Sequence, residues 1–138
     1  VGEISKIDIS IINTFFEQGL TPVISPICVT EDGIGINMNA DLVAGAIGGA
    51  LKAEVVMFST DVSGIYRNWP DEASLINSIS VDELVSIASG FEGGMLPKAN
   101  AAINAIHSGA KSVRIFDGRT IANLTAAHSG EIGTLVIA

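Results

Sequence analysis

Charged and aromatic residues are scarce in this chain, at 16% and 5% of its 138 residues. It has a single cysteine, Cys28, so no disulfide can form within the chain. Cys28 lies in an apolar run, where a lone cysteine is typically a small buried hydrophobic residue. Few aromatic residues beside 48% hydrophobic residues predict an aliphatic core and exclude a disordered or coiled-coil chain.

Basic residues are scarce as well: the chain has seven lysines and arginines but fifteen aspartates and glutamates, for a net charge of −8. This balance argues against a nucleic-acid partner, which attracts basic faces, and against an anionic membrane surface. The longest apolar stretch, 42–51, is half of what a bilayer requires, and the start of the chain lacks a signal-peptide pattern. We therefore expect a cytoplasmic protein with no nucleic-acid and no membrane partner.

Several common site signatures are missing from the sequence. It has no P-loop, no G-x-G-x-x-G fingerprint and no G-x-S-x-G elbow. His107 and His128 are isolated from each other and from Cys28, so no zinc-binding pattern is present. We predict no metal site built from side chains alone.

Helical and strand patterns alternate along the chain. Apolar spacing predicts a helix over 9–18 that Gly19 ends, and an apolar run predicts a buried strand over 23–29. The Asp32-Gly33 turn joins that strand to another at 34–36. The remaining patterns predict helices over 40–53, 80–89, 97–108 and 120–127, and strands over 55–59, 112–116 and 134–137. Such alternation predicts an α/β fold with a mostly parallel sheet flanked by helices and one β-hairpin.

The segment Gly93-Gly94-Met95-Leu96-Pro97-Lys98 suggests anion binding. Pro97 at a first helical position places Lys98 in the first turn, where a cation opposes the helix dipole at a cost of about 0.3–1 kcal/mol. That cost disappears if an anion is bound at the same helix end by free N–H groups and the ammonium together. A solvated surface lysine is the simpler alternative, and on these residues alone it is the favoured one.

Acidic and amide residues give weaker signals. Asp41 in a first helical turn is favoured by the dipole alone, but it could also orient a lysine or screen a metal–phosphate group. Asn39 is a plausible N-cap, and Asn37 could cap the helix or hydrogen-bond a small ligand. Residues 60–64 follow a buried strand, at the edge where open α/β sheets bind ligands. Asp61 could accept there from a ribose hydroxyl or an adenine amine; an ordinary turn is the alternative.

The order of these motifs and their residues resemble those of acetylglutamate kinase, of the amino-acid-kinase superfamily, over essentially the whole chain. That superfamily also holds aspartokinase, glutamate 5-kinase and uridylate kinase. The stretch Tyr66-Arg67-Asn68-Trp69-Pro70-Asp71 resembles a subgroup of the family. The segments that carry the resemblance are Pro22-Val23-Ile24-Ser25-Pro26-Ile27, Asn37-Met38-Asn39-Ala40-Asp41, Thr60-Asp61-Val62-Ser63-Gly64-Ile65-Tyr66, Gly93-Gly94-Met95-Leu96-Pro97-Lys98, Asp117-Gly118-Arg119 and Ile132-Gly133-Thr134.

The resemblance implies a role for each matched position. Lys98 is similar to the catalytic lysine that stabilises the transferring phosphoryl group, and Asp41 to the aspartate that organises the catalytic lysines. Asn37 and Asn39 are implied to bind the substrate, acetylglutamate. ATP is the implied second substrate, with Mg²⁺ held mainly through the nucleotide phosphates. The implied nucleotide-binding residues are Thr60, Asp61, Val62, Ser63, Gly64, Ile65, Tyr66, Gly90, Phe91, Glu92 and Met95.

The resemblance also implies a three-layer fold that is truncated at its N-terminus. Residues 1–53 correspond to a remnant of the amino-acid-substrate domain and a linking helix, and 54–138 to the nucleotide-binding domain. Family members begin with a lysine and a glycine-rich loop that this sequence lacks. Near the C-terminus, Thr120-Ile121-Ala122-Asn123 stands where a histidine is common, so arginine feedback inhibition is not implied. We expect this chain to supply the ATP-binding half of the enzyme and to be inactive alone.

The implied reaction is Mg-ATP-dependent phosphorylation of the side-chain carboxylate of N-acetyl-L-glutamate, in arginine biosynthesis. Another amino-acid kinase, of the glutamate, aspartate or aminoadipate type, is an alternative. A non-catalytic nucleotide-binding or assembly fragment is another. Half of a continuous sheet leaves unpaired strand edges and an apolar face, so we also expect a homo-oligomer.

Overall fold

The structure is a computed structural model and describes residues 4–91 and 93–138. Its elements confirm the expected α/β class. No helix in these two ranges is long and apolar enough to cross a membrane. In chain order the elements are α1 (Ser10–Glu17), β1 (Ile27–Val29), β2 (Gly35–Asn37), α2 (Ala40–Ala50), β3 (Val56–Thr60), a 3-10 turn (Glu72–Ser74), β4 (Ser78–Ser80), α3 (Val81–Ala88), α4 (Met95–His107), β5 (Ser112–Asp117), α5 (Ile121–His128) and β6 (Thr134–Ile137).

The main sheet has four strands in the order β3-β5-β6-β4. The β3–β5 and β4–β6 pairs are parallel, and the central β5–β6 pair is antiparallel. The expected mostly parallel sheet is therefore confirmed, with one antiparallel pairing inside it. The short strand β4 is absent from the sequence prediction, because a single apolar residue, Ile79, between two serines gives no strand pattern.

Helices cover both faces of this sheet. Successive side chains of a strand point to opposite faces. Val113 and Ile115 of β5 belong to the buried cluster that also contains side chains of α3 and α4. Phe116 is fully buried but lies outside that cluster, on the face of β5 that packs against α5. The arrangement is the three-layer one that the resemblance implies.

The expected hairpin is present but shorter than the sequence suggests. It pairs β1 with β2, with Cys28 opposite Ile36, and Cys28 is half-buried. The expected buried strand over 23–29 is wrong for residues 23–26, where no strand forms, and its expected burial is wrong for Val23, Ile27 and Val29, which are 99%, 55% and 68% exposed. In the described part of the chain no strand lies beside residues 23–25, whereas the Pro26 carbonyl still accepts from the Met38 N–H group at 2.9 Å.

Two helix ends differ from the expected ones. Helix α2 ends at Ala50 rather than near residue 53, because Lys52 adopts a left-handed conformation with φ of 51°. Helix α4 begins at Met95, two residues before Pro97. A proline is still tolerated there, since the first N–H groups of a helix have no intrahelical partner. Lys98 therefore remains in the first turn, as expected.

Candidate functional site

Helices α2 and α4 lie side by side because small residues let them approach closely. A Cβ at position 45 would lie 2.9 Å from the carbonyl oxygen of Ala101, and one at position 49 would lie 2.4 Å from the Cβ of Ser108. Contacts therefore advance along both helices in the same direction. The two helices run parallel, and their N-termini lie next to each other.

This packing brings together the two residues expected to be catalytic. The Lys98 ammonium donates to Oδ2 of Asp41 at 3.0 Å, although the residues are 57 positions apart in the sequence. Their side chains are only 21% and 25% exposed, so water screens this ion pair less than a pair on the open surface. Asn39 caps α2, with its Oδ1 accepting from the Leu42 N–H group at 3.1 Å. The expected cap is confirmed.

The ion pair lies at the carboxyl edge of the main sheet. Short connections, 51–55 and 108–111, join α2 to β3 and α4 to β5, and each helix packs on the strand that follows it. Each helix therefore runs back along its strand and begins near that strand's carboxyl end. Strands β3 and β5 are parallel, with Thr60 opposite Asp117. Open α/β sheets bind ligands at this edge.

The loop 60–66 leaves β3 at the same edge. The earlier part of the loop is more exposed than its last residues, which are buried. The Thr60 hydroxyl donates to Asp61 Oδ1 at 3.1 Å, and Asp61 and Ser63 are exposed. Gly64, Ile65 and Tyr66 are buried, with Ile65 fully enclosed in the core. Any nucleotide contact of Ile65 or Tyr66 would thus have to use the backbone. Their expected roles stay predictions; the exposed part of the loop is Asp61–Ser63 with Val62 half-buried.

The glycine-rich loop before α4 presents open backbone at the start of that helix. Gly93 is left-handed, with φ of 59°, and no atom lies within 4 Å of where a Cβ of Gly93 or Gly94 would be. Phe91 and Met95 instead pack against the core, and Gly90 is exposed. The expected nucleotide-binding residue Glu92 lies outside the described residues. Among the described residues, none crowds the Cα atoms of Gly93 and Gly94 on the side where a Cβ would lie.

The Asp117–Arg119 turn packs directly against the start of the 60–66 loop. The Gly118 N–H group donates to the Thr60 carbonyl at 2.9 Å, and a Cβ on Gly118 would overlap the Ser59 hydroxyl. The Arg119 guanidinium donates to both carboxylate oxygens of Asp117, at 2.9 and 2.6 Å. Sequence reasoning gave this turn no place in the site, although its position directly after β5 was a usable signal.

An NMR titration is expected to show an unusually acidic Asp117. Hydrogen bonds from the side chain and backbone of Arg119 lower the pKa of the Asp117 carboxyl from 3.8 to about 2. Because the folded pKa lies below the unfolded one, any stability from this pair is fully present above the unfolded pKa and is lost as the pH falls through the folded one. Arg119→Ala should move the pKa back towards 3.8, whereas Lys111→Ala, which breaks another exposed ion pair, should not. An unchanged Asp117 pKa in Arg119→Ala would contradict the assignment.

The structure has three open cavities, of about 610, 600 and 420 Å³. They are lined mainly by the segment 4–28 and by α2, and none of them includes Lys98, Asp41 or the loop 60–66. Among the described residues, no group of three or more His, Cys, Asp or Glu is placed to hold a metal ion. The carboxyl edge is thus an open site whose polar groups come from helix starts and loops.

The chain matches known proteins over nearly its whole length. The family model of the amino acid kinase family matches residues 1–117. The acetylglutamate kinase of Corynebacterium glutamicum is 39% identical over 139 aligned residues, which cover 99% of this chain and 47% of that protein. The resemblance seen in the sequence motifs is therefore confirmed. The chain spans about half the length of the curated relatives that it matches.

Solved structures share its fold. An N-acetylglutamate synthase from Neisseria gonorrhoeae, complexed with coenzyme A and L-arginine, superposes with a TM-score of 0.86 at 23% identity, over 99% of this chain and 32% of that one. A carbamate kinase from Giardia lamblia, bound to AMP-PNP, gives a TM-score of 0.65 at 26% identity, over 80% of this chain and 36% of that one.

Proposed function

This chain belongs to the amino acid kinase family, and from that premise we propose that it supplies the ATP-binding half of an acetylglutamate kinase. The contact between Lys98 and Asp41 at the carboxyl edge carries the proposal, because it unites the two positions that the family resemblance marks as catalytic. The 39% identity to an acetylglutamate kinase supports this substrate. In this proposal residues 54–138 form the nucleotide-binding domain and 1–53 the remnant of the substrate domain.

The start of α4 is the proposed phosphate site. Among the described residues no side chain caps its N-terminus, whereas side chains cap α2, α3 and α5. Uncapped N–H groups and the helix dipole favour an anion, and Lys98 adds a full positive charge in the same turn. The carbamate kinase that is bound to AMP-PNP supports a nucleotide as the ligand. Asp61–Ser63 and Gly93–Gly94 would contact the rest of the nucleotide.

The proposed reaction needs charge and positioning rather than a base. A glutamate side-chain carboxylate has a pKa of about 4.3 and is ionised at neutral pH. One of its oxygens attacks the γ-phosphorus of ATP, the bond from that phosphorus to the bridging oxygen of ADP breaks, and the products are an acyl phosphate and ADP. The three equatorial phosphoryl oxygens carry negative charge in the transition state, which the Lys98 ammonium stabilises. Asp41 holds that ammonium in place.

The residues at this edge suit a magnesium ion that is bound mainly by the nucleotide. Mg²⁺ keeps several waters and commonly takes one or two carboxylates together with substrate phosphates. Asp41 and Asp61 would be two such carboxylates: Asp41 is paired with Lys98, and Asp61 is exposed. When bound, the ion neutralises phosphate charge.

Asn37 and Asn39 are proposed to contact the amino-acid substrate. Both are exposed, one at the end of β2 and the other just before α2. The side-chain oxygen of Asn39 is already used by the helix cap, so its NH₂ group is the part that suits a carboxylate or an acetyl carbonyl. A panel of acetylglutamate, glutamate, aspartate and aminoadipate, tested with an enzyme completed by the missing half, would separate this substrate from the alternatives.

Isothermal titration tests the proposed nucleotide site. The folded chain is expected to bind Mg-ATP and, when given acetylglutamate as well, to form no acyl phosphate that hydroxylamine can trap. Both results follow from a chain that holds the ATP-binding groups and about half of the relatives' length. Folded protein that gives no heat with saturating Mg-ATP would overturn the proposal.

We also propose that two copies of the chain associate through an apolar surface on residues 11–36. Nine of its large hydrophobic side chains are exposed, and no third strand among residues 4–91 and 93–138 pairs with the hairpin, whose edges can therefore pair with a second copy. A two-fold arrangement would place the same surface on both copies. These side chains are Ile11, Phe16, Leu20, Val23, Ile24, Ile27, Val29, Ile34 and Ile36.

Light scattering is expected to give the mass of a dimer or larger species for the wild-type chain. The double variant Val23→Asp, Val29→Lys should shift this towards the monomer, since both side chains lie on the apolar surface of 11–36 and are 99% and 68% exposed. Ile121→Asp is the control: Ile121 is 84% exposed but belongs to α5, outside that surface. A monomeric wild-type chain would rule out this association.

A further inference from the structure

Thr134 is a fully buried polar side chain that the proposed mechanism does not use. It begins β6, and its hydroxyl makes two hydrogen bonds with distant backbone groups. Its Oγ1 accepts from the Ile65 N–H group at 2.8 Å and donates to the Ile76 carbonyl at 2.5 Å. A hydroxyl can donate and accept at once. One side chain thus joins β6 to both ends of the segment 65–76.

The position of Thr134 relates it to the 60–66 loop. Because β5 and β6 are antiparallel, with Ile115 opposite Thr134, this residue lies near the carboxyl end of β5. The loop leaves β3 at that same edge, where the Gly118 N–H group fixes the carbonyl of Thr60. Five residues later Ile65 is fixed by Thr134. The exposed residues Asp61–Ser63 therefore lie between two anchors.

The backbone packs tightly around Thr134, the second anchor. A Cβ at position 64 would lie 2.5 Å from the Thr134 hydroxyl and 3.0 Å from its backbone nitrogen, so only glycine fits beside it. Gly133 is left-handed, with φ of 90°, and a Cβ there would lie 2.6 Å from the Ile115 carbonyl. Positions 64 and 133, which both lie against this contact, must therefore be glycine. The motif Ile132-Gly133-Thr134 thus has a structural reason within this chain.

We propose that Thr134 is a positioning residue for the nucleotide site, acting through the loop that it anchors. Its hydroxyl fixes the far end of the loop, so that Asp61–Ser63 hold one conformation before the nucleotide arrives. A loop ordered in advance loses less conformational entropy on binding, which raises affinity. The proposal rests on the proposed ATP-binding function for its ligand, whereas the anchoring itself does not depend on any ligand.

Amide hydrogen exchange and ATP titration, carried out on the same variants, test this role. Thr134→Val keeps the side-chain shape and removes both hydrogen bonds, and Thr134→Ser keeps the hydroxyl. Val113→Ala is the control, because Val113 is fully buried near the other end of the same sheet. Thr134→Val should speed exchange of the Ile65 amide about tenfold and weaken Mg-ATP binding about tenfold, as expected for the loss of a buried hydrogen bond. Thr134→Ser should stay within about twofold of wild type in both measurements, and Val113→Ala should stay within about twofold of wild type in Mg-ATP binding.

Each outcome decides the question. Faster exchange and weaker binding in Thr134→Val alone support the positioning role. If Val113→Ala lowers the melting temperature as much as Thr134→Val does and produces the same two changes, Thr134 acts only through general stability. The positioning role is then wrong. Unchanged ATP affinity in Thr134→Val overturns this role alone, whereas a wild-type chain that binds no ATP overturns the proposed function and this role together. If Thr134→Val does not fold, Gly64→Ala, whose Cβ presses on the same hydroxyl, gives the same readouts.

Discussion

Lys98→Ala is expected to weaken Mg-ATP binding by about ten- to a hundredfold while leaving adenosine binding unchanged. Hydrogen bonds to charged groups contribute about 1.5–3 kcal/mol, and each 1.4 kcal/mol is a factor of ten in affinity. We propose that the Lys98 ammonium contacts the phosphates at the start of α4. The affinity of a ligand without phosphates therefore does not depend on it. Isothermal titration with ATP, ADP and adenosine measures the difference.

Lys111→Ala is a close control for this experiment. Lys111 also pairs with a carboxylate 57 residues away, that of Glu54, but both side chains are largely exposed and precede β5 and β3, at the opposite edge of the sheet. This variant should bind ATP like the wild type. Lys98→Arg, which keeps the charge, should lose less affinity than Lys98→Ala. Equal losses for ATP and adenosine in Lys98→Ala would show that the lysine does not contact phosphates.

Gly49→Val is expected to destabilise the chain by about 1–3 kcal/mol, because overpacking a close contact typically costs that much. Position 49 faces Ser108 and the Ala105 carbonyl at the α2–α4 contact, where even a Cβ would be too close. The helices would have to separate, and the Lys98–Asp41 pair at their N-termini depends on their closeness. Thermal unfolding should show the loss of stability, and ATP titration a loss of affinity.

Ala44→Val separates this packing effect from helix propensity. Ala44 is an exposed residue of the same helix, so valine there costs only the propensity difference, about 0.5 kcal/mol. If both variants lose the same stability, the close contact between α2 and α4 is not what limits residue size at position 49. If Gly49→Val is destabilised but binds ATP normally, the ion pair does not depend on that contact.

Local signals in the sequence correctly predicted two structural features of the candidate site. Asn39 caps α2 as its position before an apolar helix predicts, and Pro97 with two glycines correctly places Lys98 in the first turn of α4. Each of these features depends on residues within a few positions along the chain. For the same reason the residue pattern alone did not decide whether Lys98 belongs to an anion site or is an ordinary surface lysine.

The contacts that distinguish those alternatives are long-range ones. Lys98 meets Asp41 because Gly45 and Gly49 let two helices pack in parallel, and no local pattern encodes which helices meet. The Thr134 hydroxyl reaches Ile65 across 69 positions for a similar reason. The residues that carry the resemblance mark these positions without explaining them; tertiary packing supplies the explanation.

The sequence pattern misleads most where an element lacks a partner. An apolar run predicts a buried strand over 23–29, yet Val23 and Val29 are 99% and 68% exposed. Apolar composition predicts that a segment will be covered, but it does not say by what. Among the described residues no element covers these two side chains.

Chemical-shift mapping with Mg-ATP tests the central claim most directly. On ¹⁵N-labelled wild-type chain, we predict that the perturbed amides concentrate at the carboxyl edge of the main sheet, in residues 61–64, at 93–98 and around Arg119. The amides of the apolar surface of 11–36 should not respond. Saturating nucleotide that perturbs no amide at this edge, or that perturbs mainly the segment 4–28 beside the large cavities, would contradict a phosphate site at the start of α4.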